Sequence, residues 1–278
     1  MKTSKKKIIL IWDYDSPIGQ INSSLPYNFN YNSFNIEKSN VKLILKKLEE
    51  YEIKSCFAIT GFSAEIGSLP FNFPDFINQI SQMGHEIASH SWKHEWIPFL
   101  NKNQVNKSLN KSKNALEAAI KDRQRVVGFV PPYNRPATWI KRGAFSIGDK
   151  ALWPFYKMGN IDNIFDILMN LKYKWVRISH FPLKYKLGFV NKPMAGKVYN
   201  YKDLLILENH YTGFDKKIRN YILNSNDKYF IISAHPLMLN MEKNKSESCN
   251  NFEDFLDIFA NDSNFDFITP MELLKINL

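Results

Sequence analysis

Short apolar runs alternate along this chain with longer amphipathic segments, and this alternation constrains the fold more than any other feature. Apolar strands separated by helices of about 10–20 residues are typical of βαβ units. The pattern therefore predicts an α/β fold with a parallel sheet covered by helices. Strands are predicted at residues 8–12, 53–60, 86–90, 126–130, 229–233 and 265–269, and helices at 40–51, 74–83, 102–121, 216–223 and 252–260.

One stretch interrupts this rhythm. Residues 137–210 contain many aromatic side chains with scattered proline and glycine, and we interpret them as an irregular insertion. No internal repeat or low-complexity linker divides the chain, so we expect a single domain over residues 1–278. A hydrophobic fraction of 44% and an aromatic fraction of 14% exclude a largely disordered chain.

The charge balance indicates an anionic partner. The chain carries 37 Lys+Arg against 27 Asp+Glu, a formal net charge of +10. Such an excess suits a phosphorylated metabolite, an acidic membrane surface or nucleic acid. The sequence shows neither a recognition helix nor a basic-aromatic stripe, which argues against nucleic acid.

The sequence favours a cytoplasmic protein. Its two cysteines cannot form a disulfide framework. The lysine-rich start is followed by an apolar run at residues 8–12 that is too short for a secretory signal. No stretch reaches the roughly 20 apolar residues of a transmembrane helix.

Several polar residues directly follow predicted strands. In parallel sheets and barrels the chemistry lies at the carboxyl ends of the strands, so these residues are expected to meet there. They are Asp13, Asp15, His90, His94, residues 131–133 and His235.

The residue types in this group suit a catalytic metal site. His90 and His94 are four residues apart, and two imidazoles with one carboxylate leave metal positions open for water and substrate. A second carboxylate can then serve as a base. The alternatives are structural: an aspartate after a strand is also a common turn residue, and His235 is also acceptable as an ordinary loop histidine. His85, which precedes its strand, is predicted to be structural.

Four segments in order resemble the motifs of a known family. They are Trp12-Asp13-Tyr14-Asp15, GHEIASHSWKH at residues 84–94, GFVPPYN at 128–134 and ISAHP at 232–236. The chain resembles the polysaccharide deacetylase family, also called the NodB-homology domain or carbohydrate esterase family 4. The resemblance covers about residues 8–136 and 216–275, and it implies a distorted, incomplete (β/α) barrel.

The resemblance also implies residue roles. Asp13 would be the catalytic base and His235 the general acid, and the backbone N–H of Tyr133 would stabilise an oxyanion. A divalent metal would be held by Asp15, His90 and His94. Zinc is the first choice for that metal, with iron, cobalt or nickel as alternatives.

The chain departs from the family pattern in two places. Val130 stands where the third motif usually has an arginine that contacts the catalytic aspartate. Arg135 is the first candidate to replace it, and Arg177 is the second. A fourth motif, which supplies the acid that orients the catalytic histidine, is not identifiable.

These features predict a metal-dependent hydrolase that removes the N-acetyl group from an amino sugar. The expected substrate is phosphate-bearing, nucleotide- or lipid-linked, and used in surface-glycan synthesis. Two alternatives stay open. One is a formamide or cyclic-imide hydrolase of the same superfamily, and the other is a sugar-binding pseudoenzyme, for which Val130 is the best support.

Overall fold

A computed structural model describes residues 5–23, 30–97, 100–121, 125–134, 161–179, 194, 196–209, 211–241 and 245–277. Its strands are β1 (Lys6–Tyr14), β2 (Cys56–Ile59), β3 (Glu86–Ser89), β4 (Gly128–Phe129), β5 (Trp175–Ile178), β6 (Val198–Tyr201), β7 (Leu204–Glu208), β8 (Tyr229–Ala234) and β9 (Phe265–Phe267). Its α-helices are α1 (Ser16–Asn22), α2 (Tyr31–Glu50), α3 (Pro74–Gln82), α4 (Lys102–Ala119), α5 (Ile161–Asn170), α6 (Lys216–Asn224), α7 (Cys249–Ala260) and α8 (Pro270–Asn277).

The described strands form one sheet in the order β6-β7-β5-β4-β3-β2-β1-β8, and β9 pairs with the start of β1. All pairings are parallel except that of β6 with β7. The sheet curls without closing, with helices outside it. This arrangement confirms the predicted α/β fold, a distorted, incomplete (β/α) barrel.

The alternation of side chains along each strand separates two apolar clusters. In β1, Ile8, Leu10 and Trp12 belong to the larger cluster, which packs against the helices. Ile9 and Ile11 point to the opposite face and join a smaller cluster. This inner cluster fills the concave side of the sheet.

The C-terminal helix closes the amino-terminal end of the barrel. Leu273 of α8 belongs to the inner cluster. The buried carboxylate of Glu86 accepts hydrogen bonds from the Trp175 indole at 2.7 Å and from the backbone N–H of Met271 at 2.8 Å. The barrel is therefore capped at the end opposite to the one where the predicted functional residues lie.

The predicted irregular insertion at residues 137–210 needs correction. Its described parts contain α5, β5, β6 and β7, and these three strands extend the sheet. The strands have only four or five residues each, and Arg177 interrupts the apolar run of β5. Such short, interrupted runs give a weak periodic signal. Among the residues that the structure describes, no helix has the length and apolarity needed to span a membrane.

The packing of α7 yields a prediction about stability. Phe255 is fully buried, and its ring centroid lies 5.3 Å from that of Phe214 and 4.7 Å from that of Phe259. We expect Phe255→Ala to lower the free energy of unfolding by about 3–5 kcal/mol, because the lost burial leaves a cavity. Urea denaturation followed by circular dichroism measures this loss. Ile258→Ala, on the exposed side of the same helix, should cost less than about 1 kcal/mol; equal losses would contradict this account of the core.

Candidate active site

The strands place the functional side chains at the site because side chains along a strand alternate between its two faces. Successive inward positions are two residues apart, so the residue two places after an inner-cluster residue continues on the same face. At the carboxyl ends of three strands that next position carries a polar group. The pairs are Ile11 with Asp13, Ala88 with His90, and Trp175 with Arg177.

Asp15, His90 and His94 form a compact group of potential metal ligands. The Nε2 atoms of both histidines lie 3.2 Å from Oδ1 of Asp15. One ligand atom from each residue lies within 4.8 Å of the other two. Both histidines are buried, so the group is held by the protein interior.

The chemistry of these donors fits a cation. Nδ1 of His90 lies 2.7 Å from the carbonyl oxygen of Val130, which can only accept, so Nδ1 carries the hydrogen. The Nε2 atom of the neutral ring then presents a lone pair toward Asp15. Oδ1 of Asp15 is buried and has no hydrogen-bond partner. Acceptors facing each other at this distance call for a positive ion between them.

The charge state of Asp15 agrees with this assignment. Burial by itself would raise the pKa of Asp15. Without a cation, protonated imidazoles of His94 and His90 outweigh burial and hold the pKa of this carboxyl well below its usual value; a cation in place of those protons would act in the same direction. Asp15 is therefore ionised at neutral pH, as a metal ligand must be.

The backbone beside these ligands is shaped for close approach. A Cβ atom added to Gly19 of α1 would lie 3.0 Å from Cβ of Asp15 and 3.3 Å from Cβ of His94. His94 itself adopts a left-handed conformation, with φ of 60°. Left-handed non-glycine residues are uncommon and are retained where the surrounding structure requires them.

Asp13 is paired with a buried arginine. Nη2 of Arg177 lies 2.6 Å from Oδ2 of Asp13, and both side chains are almost fully buried. Burial would raise the pKa of Asp13, but the charge of Arg177, helped by His90 and His235, lowers it from the usual value. The other oxygen, Oδ1, is buried without a hydrogen-bond partner. Asp13 therefore offers a charged, unpaired oxygen beside the metal ligands.

The sequence offers Arg177 as the second candidate for the arginine that is absent at Val130, and the structure brings it into contact with Asp13. Val130 directly follows β4 and lies in the inner cluster. The arginine comes instead from β5, which pairs with β4. The first candidate, Arg135, lies outside the described residues, so its role stays a prediction.

His235 is oriented by an acid that sequence reasoning missed. Oε2 of Glu247 accepts hydrogen bonds from Nδ1 of His235 at 3.0 Å and from its backbone N–H at 2.5 Å. Nε2 of His235 lies 3.8 Å from Oδ2 of Asp13. Glu247 follows His235 in the chain and lies in a polar run without periodicity, so no sequence signal marked it.

The partners of His235 set its charge. Burial would lower the pKa of His235, but the carboxylate of Glu247, with further contributions from Asp13 and Asp15, raises it to about 10. His235 is therefore protonated at neutral pH, as a proton donor must be.

Tyr133 lies directly beside the ligand group. It follows β4 in a left-handed conformation, with φ of 59° and ψ of 18°. Its ring centroid lies 5.1 Å from that of His94 in an edge-to-face arrangement. The structure thus brings Tyr133 to the site, while the role of its backbone N–H stays a prediction.

One further histidine and one further acid have structural partners. Nδ1 of His85 accepts a hydrogen bond from the backbone N–H of Ser55 at 3.2 Å, and burial lowers its pKa to about 4. Glu37 accepts a hydrogen bond from Gln20 at 2.7 Å. Burial, with the charge of Asp15, raises the pKa of Glu37 to about 8. Glu37 is therefore mainly in its protonated, neutral form at neutral pH.

Sequence comparisons agree with the site. The family model described as polysaccharide deacetylase matches residues 1–147. The chain is 27% identical over 93 residues to a peptidoglycan-N-acetylglucosamine deacetylase of Bacillus cereus, covering 34% of this chain and 29% of that protein. It is 28% identical over 114 residues to chitin deacetylase 1 of Saccharomyces cerevisiae, covering 40% and 33%. The matches thus span about a third of the length of these curated relatives.

Solved structures share the fold. A candidate polysaccharide deacetylase from Mycobacterium smegmatis superposes with a TM-score of 0.70 at 13% identity, covering 99% of this chain and 91% of that one. Puue allantoinase gives a TM-score of 0.63 at 11% identity, with coverages of 97% and 89%. A carbohydrate esterase family 4 pseudoenzyme from Bacillus anthracis gives 0.52 at 14%, with coverages of 97% and 66%. At these identities the similarity shows the fold alone.

The ligand group predicts a metal-binding phenotype. We expect Asp15→Asn to weaken zinc binding by at least about 100-fold, because loss of an outer-shell partner alone costs about 10- to 100-fold. Isothermal titration with zinc, together with metal analysis of purified protein, measures the change. Asp166→Asn is the matched control, since Asp166 pairs with Lys202 on the exposed surface. Equal zinc affinity in the two variants would rule out this assignment of the ligands.

Proposed function

The chain belongs to the polysaccharide deacetylase family, and from that premise we propose that it is a metal-dependent hydrolase that removes the N-acetyl group from an amino sugar. The observation that best supports this proposal is that three groups of side chains meet at one end of the barrel. These are the Asp15, His90 and His94 group, the Asp13–Arg177 pair and the His235–Glu247 pair.

Three residues of this site would hold a divalent metal that supplies the electrophilic part of the chemistry. Held by Asp15, His90 and His94, a divalent cation would polarise the amide carbonyl and acidify water. Asp13 supplies the base. Its Oδ1 atom is charged and buried without a partner, so it is suited to take the proton as water adds to the carbonyl carbon.

His235 supplies the proton that the leaving group needs. The C–N bond breaks as the amine nitrogen takes this proton, giving acetate and a free amino sugar. Glu247 holds Nδ1 of His235, which leaves the Nε2–H facing Asp13 and the site. The backbone N–H of Tyr133 is suited to stabilise negative charge that develops on the carbonyl oxygen.

The sugar is proposed to carry phosphate. The support is the net charge of +10, since an excess of lysine and arginine favours anionic substrates. Nucleotide-linked and lipid-linked amino sugars both meet this condition, and both serve surface-glycan synthesis. The cytoplasmic location stays a prediction from the sequence.

Hydrolysis of a formamide or cyclic imide is the alternative reaction within the same fold. A sugar-binding pseudoenzyme is the alternative without catalysis. Against it stand both aspartates, three site histidines and the arginine contact that Val130 had placed in question. Substrate panels separate these alternatives.

Activity on N-acetyl sugars tests the proposal directly. Metal-loaded protein is incubated with nucleotide- and lipid-linked N-acetyl sugars, N-formyl analogues and cyclic imides, and acetate, formate and free amine are measured. We expect acetate from N-acetyl sugars only. Asp13→Asn should lower kcat by about 10²–10⁴-fold through loss of the base, and Asp166→Asn should be unchanged. Absence of acetate release from every substrate would refute the N-deacetylase assignment.

The role of Glu247 predicts a change in pH dependence. His235 acts in its protonated form, so activity falls as pH rises through its pKa. Glu247→Gln removes the charge that raises this pKa, so the alkaline limb of the kcat profile should move to lower pH. We also expect kcat to fall roughly tenfold, part of the about 10²–10⁴-fold that a positioned acid contributes.

The control for this measurement is Glu253→Gln, which removes a surface carboxylate that pairs with Lys47. Its pH profile should match that of the unmodified protein. An unshifted alkaline limb in Glu247→Gln would show that Glu247 does not set the proton affinity of His235.

A further inference from the structure

A cavity of about 580 Å³ lies beside α1. This volume is within the range of small-molecule sites. Most of its wall is apolar, with Ile18, Ile21, Phe62 and Phe71 lining it, and Asn22 and Asn72 contribute amide groups. No step of the proposed reaction uses this cavity.

The amide groups in the wall are turned to the protein. Nδ2 of Asn22 donates to the backbone carbonyl of Lys93 at 2.5 Å, and Nδ2 of Asn72 donates to that of Phe62 at 2.8 Å. One N–H of each amide is therefore engaged in holding the wall together. A sugar or a nucleobase needs many hydrogen-bond partners, so this lining favours an apolar occupant.

The cavity shares its walls with the metal-ligand segment. The backbone N–H of Phe62 donates to the carbonyl of Trp92 at 2.9 Å, and their ring centroids lie 5.7 Å apart. Asn22 holds the carbonyl of Lys93, the residue before His94. A molecule bound in this cavity therefore lies close to His94 and the other proposed metal ligands.

A cation lies over the same wall. Nζ of Lys93 lies 4.7 Å from the ring centroid of Phe62. An ammonium group beside an apolar cavity complements an amphiphile, with its chain in the cavity and an anionic head next to the lysine.

Two exposed apolar side chains lie on the segment that lines one side of the cavity. Ile66 is 98% exposed and Leu69 is 66% exposed, on the loop that leads to Phe71. Phe71 also contacts Phe34, which contacts the exposed Tyr31, with centroid separations of 6.0 Å and 5.4 Å. Exposed apolar side chains on the segment that also lines the cavity are available to a chain longer than the cavity.

We propose that this cavity binds the hydrocarbon chain of a lipid phosphate that carries the sugar, with the phosphate beside Lys93. The inference rests on the proposed function and narrows it, because it selects a lipid-linked substrate over a nucleotide-linked one. The chain enters between α1 and the Phe62 and Phe71 side chains, and the sugar reaches toward the metal ligands.

A chain-length series tests the proposal without requiring turnover. Alkyl phosphates from butyl to decyl, below their micelle concentrations, are titrated into zinc-loaded protein by calorimetry. Each methylene that leaves water for the cavity should raise affinity by about fourfold. The rise should stop when the cavity is full. Affinity independent of chain length would overturn the proposal.

Two variants shorten the cavity. Ile18→Trp fills it from the wall, and Ser68→Trp fills it from an exposed position where folding tolerates the change. In both, the rise in affinity should stop at a shorter chain, with decyl phosphate bound about tenfold more weakly. Ile258→Trp, at an exposed site on α7, is the matched control and should follow the unmodified protein. Equal weakening in the control and the cavity variants would overturn the assignment.

A third variant tests the headgroup. Lys93→Gln should lower the affinity for decyl phosphate by about threefold or more. The affinity for uncharged decyl glucoside should not change. Equal effects on the two probes would overturn the role of Lys93. Because binding is measured without hydrolysis, chain-dependent binding with no acetate release refutes only the proposed function. Acetate release from nucleotide-linked sugars with no alkyl phosphate binding refutes only this inference.

Discussion

The contact between Arg177 and Asp13 depends on the curvature of the sheet. The two residues lie on β5 and β1, which are four positions apart in the strand order. In a flat sheet that separation would be about 19 Å, at about 4.8 Å per strand. Their side chains nevertheless meet at 2.6 Å. The pair can form only across the interior of a curled sheet, so the charge state of Asp13 depends on the curvature of the sheet.

This pair also separates the roles of two nearby carboxylates. Asp13 faces a guanidinium, and Asp15 faces two imidazoles. A buried arginine without its partner would be strongly destabilising, so Asp13 is kept ionised and in place. Oδ1 of Asp15 has no hydrogen-bond partner and faces the imidazole nitrogens, and a cation fits between them. The neighbours of each carboxylate therefore support the proposed division, with Asp15 as a metal ligand and Asp13 in proton transfer.

Periodicity predicted those parts of the fold in which the apolar pattern is continuous. Helix α4 matches its predicted range of 102–121 closely, because its buried positions recur at helical spacing. Helix α2 begins at Tyr31, well before the predicted residue 40. The sequence pattern missed its first turns because the helix buries the polar side chains of Glu37 and Asn40. Buried polar residues hide an amphipathic pattern. The ligands Asp15, His90 and His94 were predictable because strand ends and motifs both marked them.

The remaining site residues depend on contacts that no local pattern encodes. The family places its arginine in the motif around Val130, whereas here the guanidinium arrives from β5, and the acid behind His235 follows it in the chain instead of preceding it. In the proposed mechanism both residues meet the same needs, because Arg177 puts a positive charge beside the base Asp13 and Glu247 puts a negative charge beside Nδ1 of the acid His235. A motif missing from the sequence is therefore weak evidence for lost catalysis when the curled sheet can bring an equivalent charge from another strand or loop.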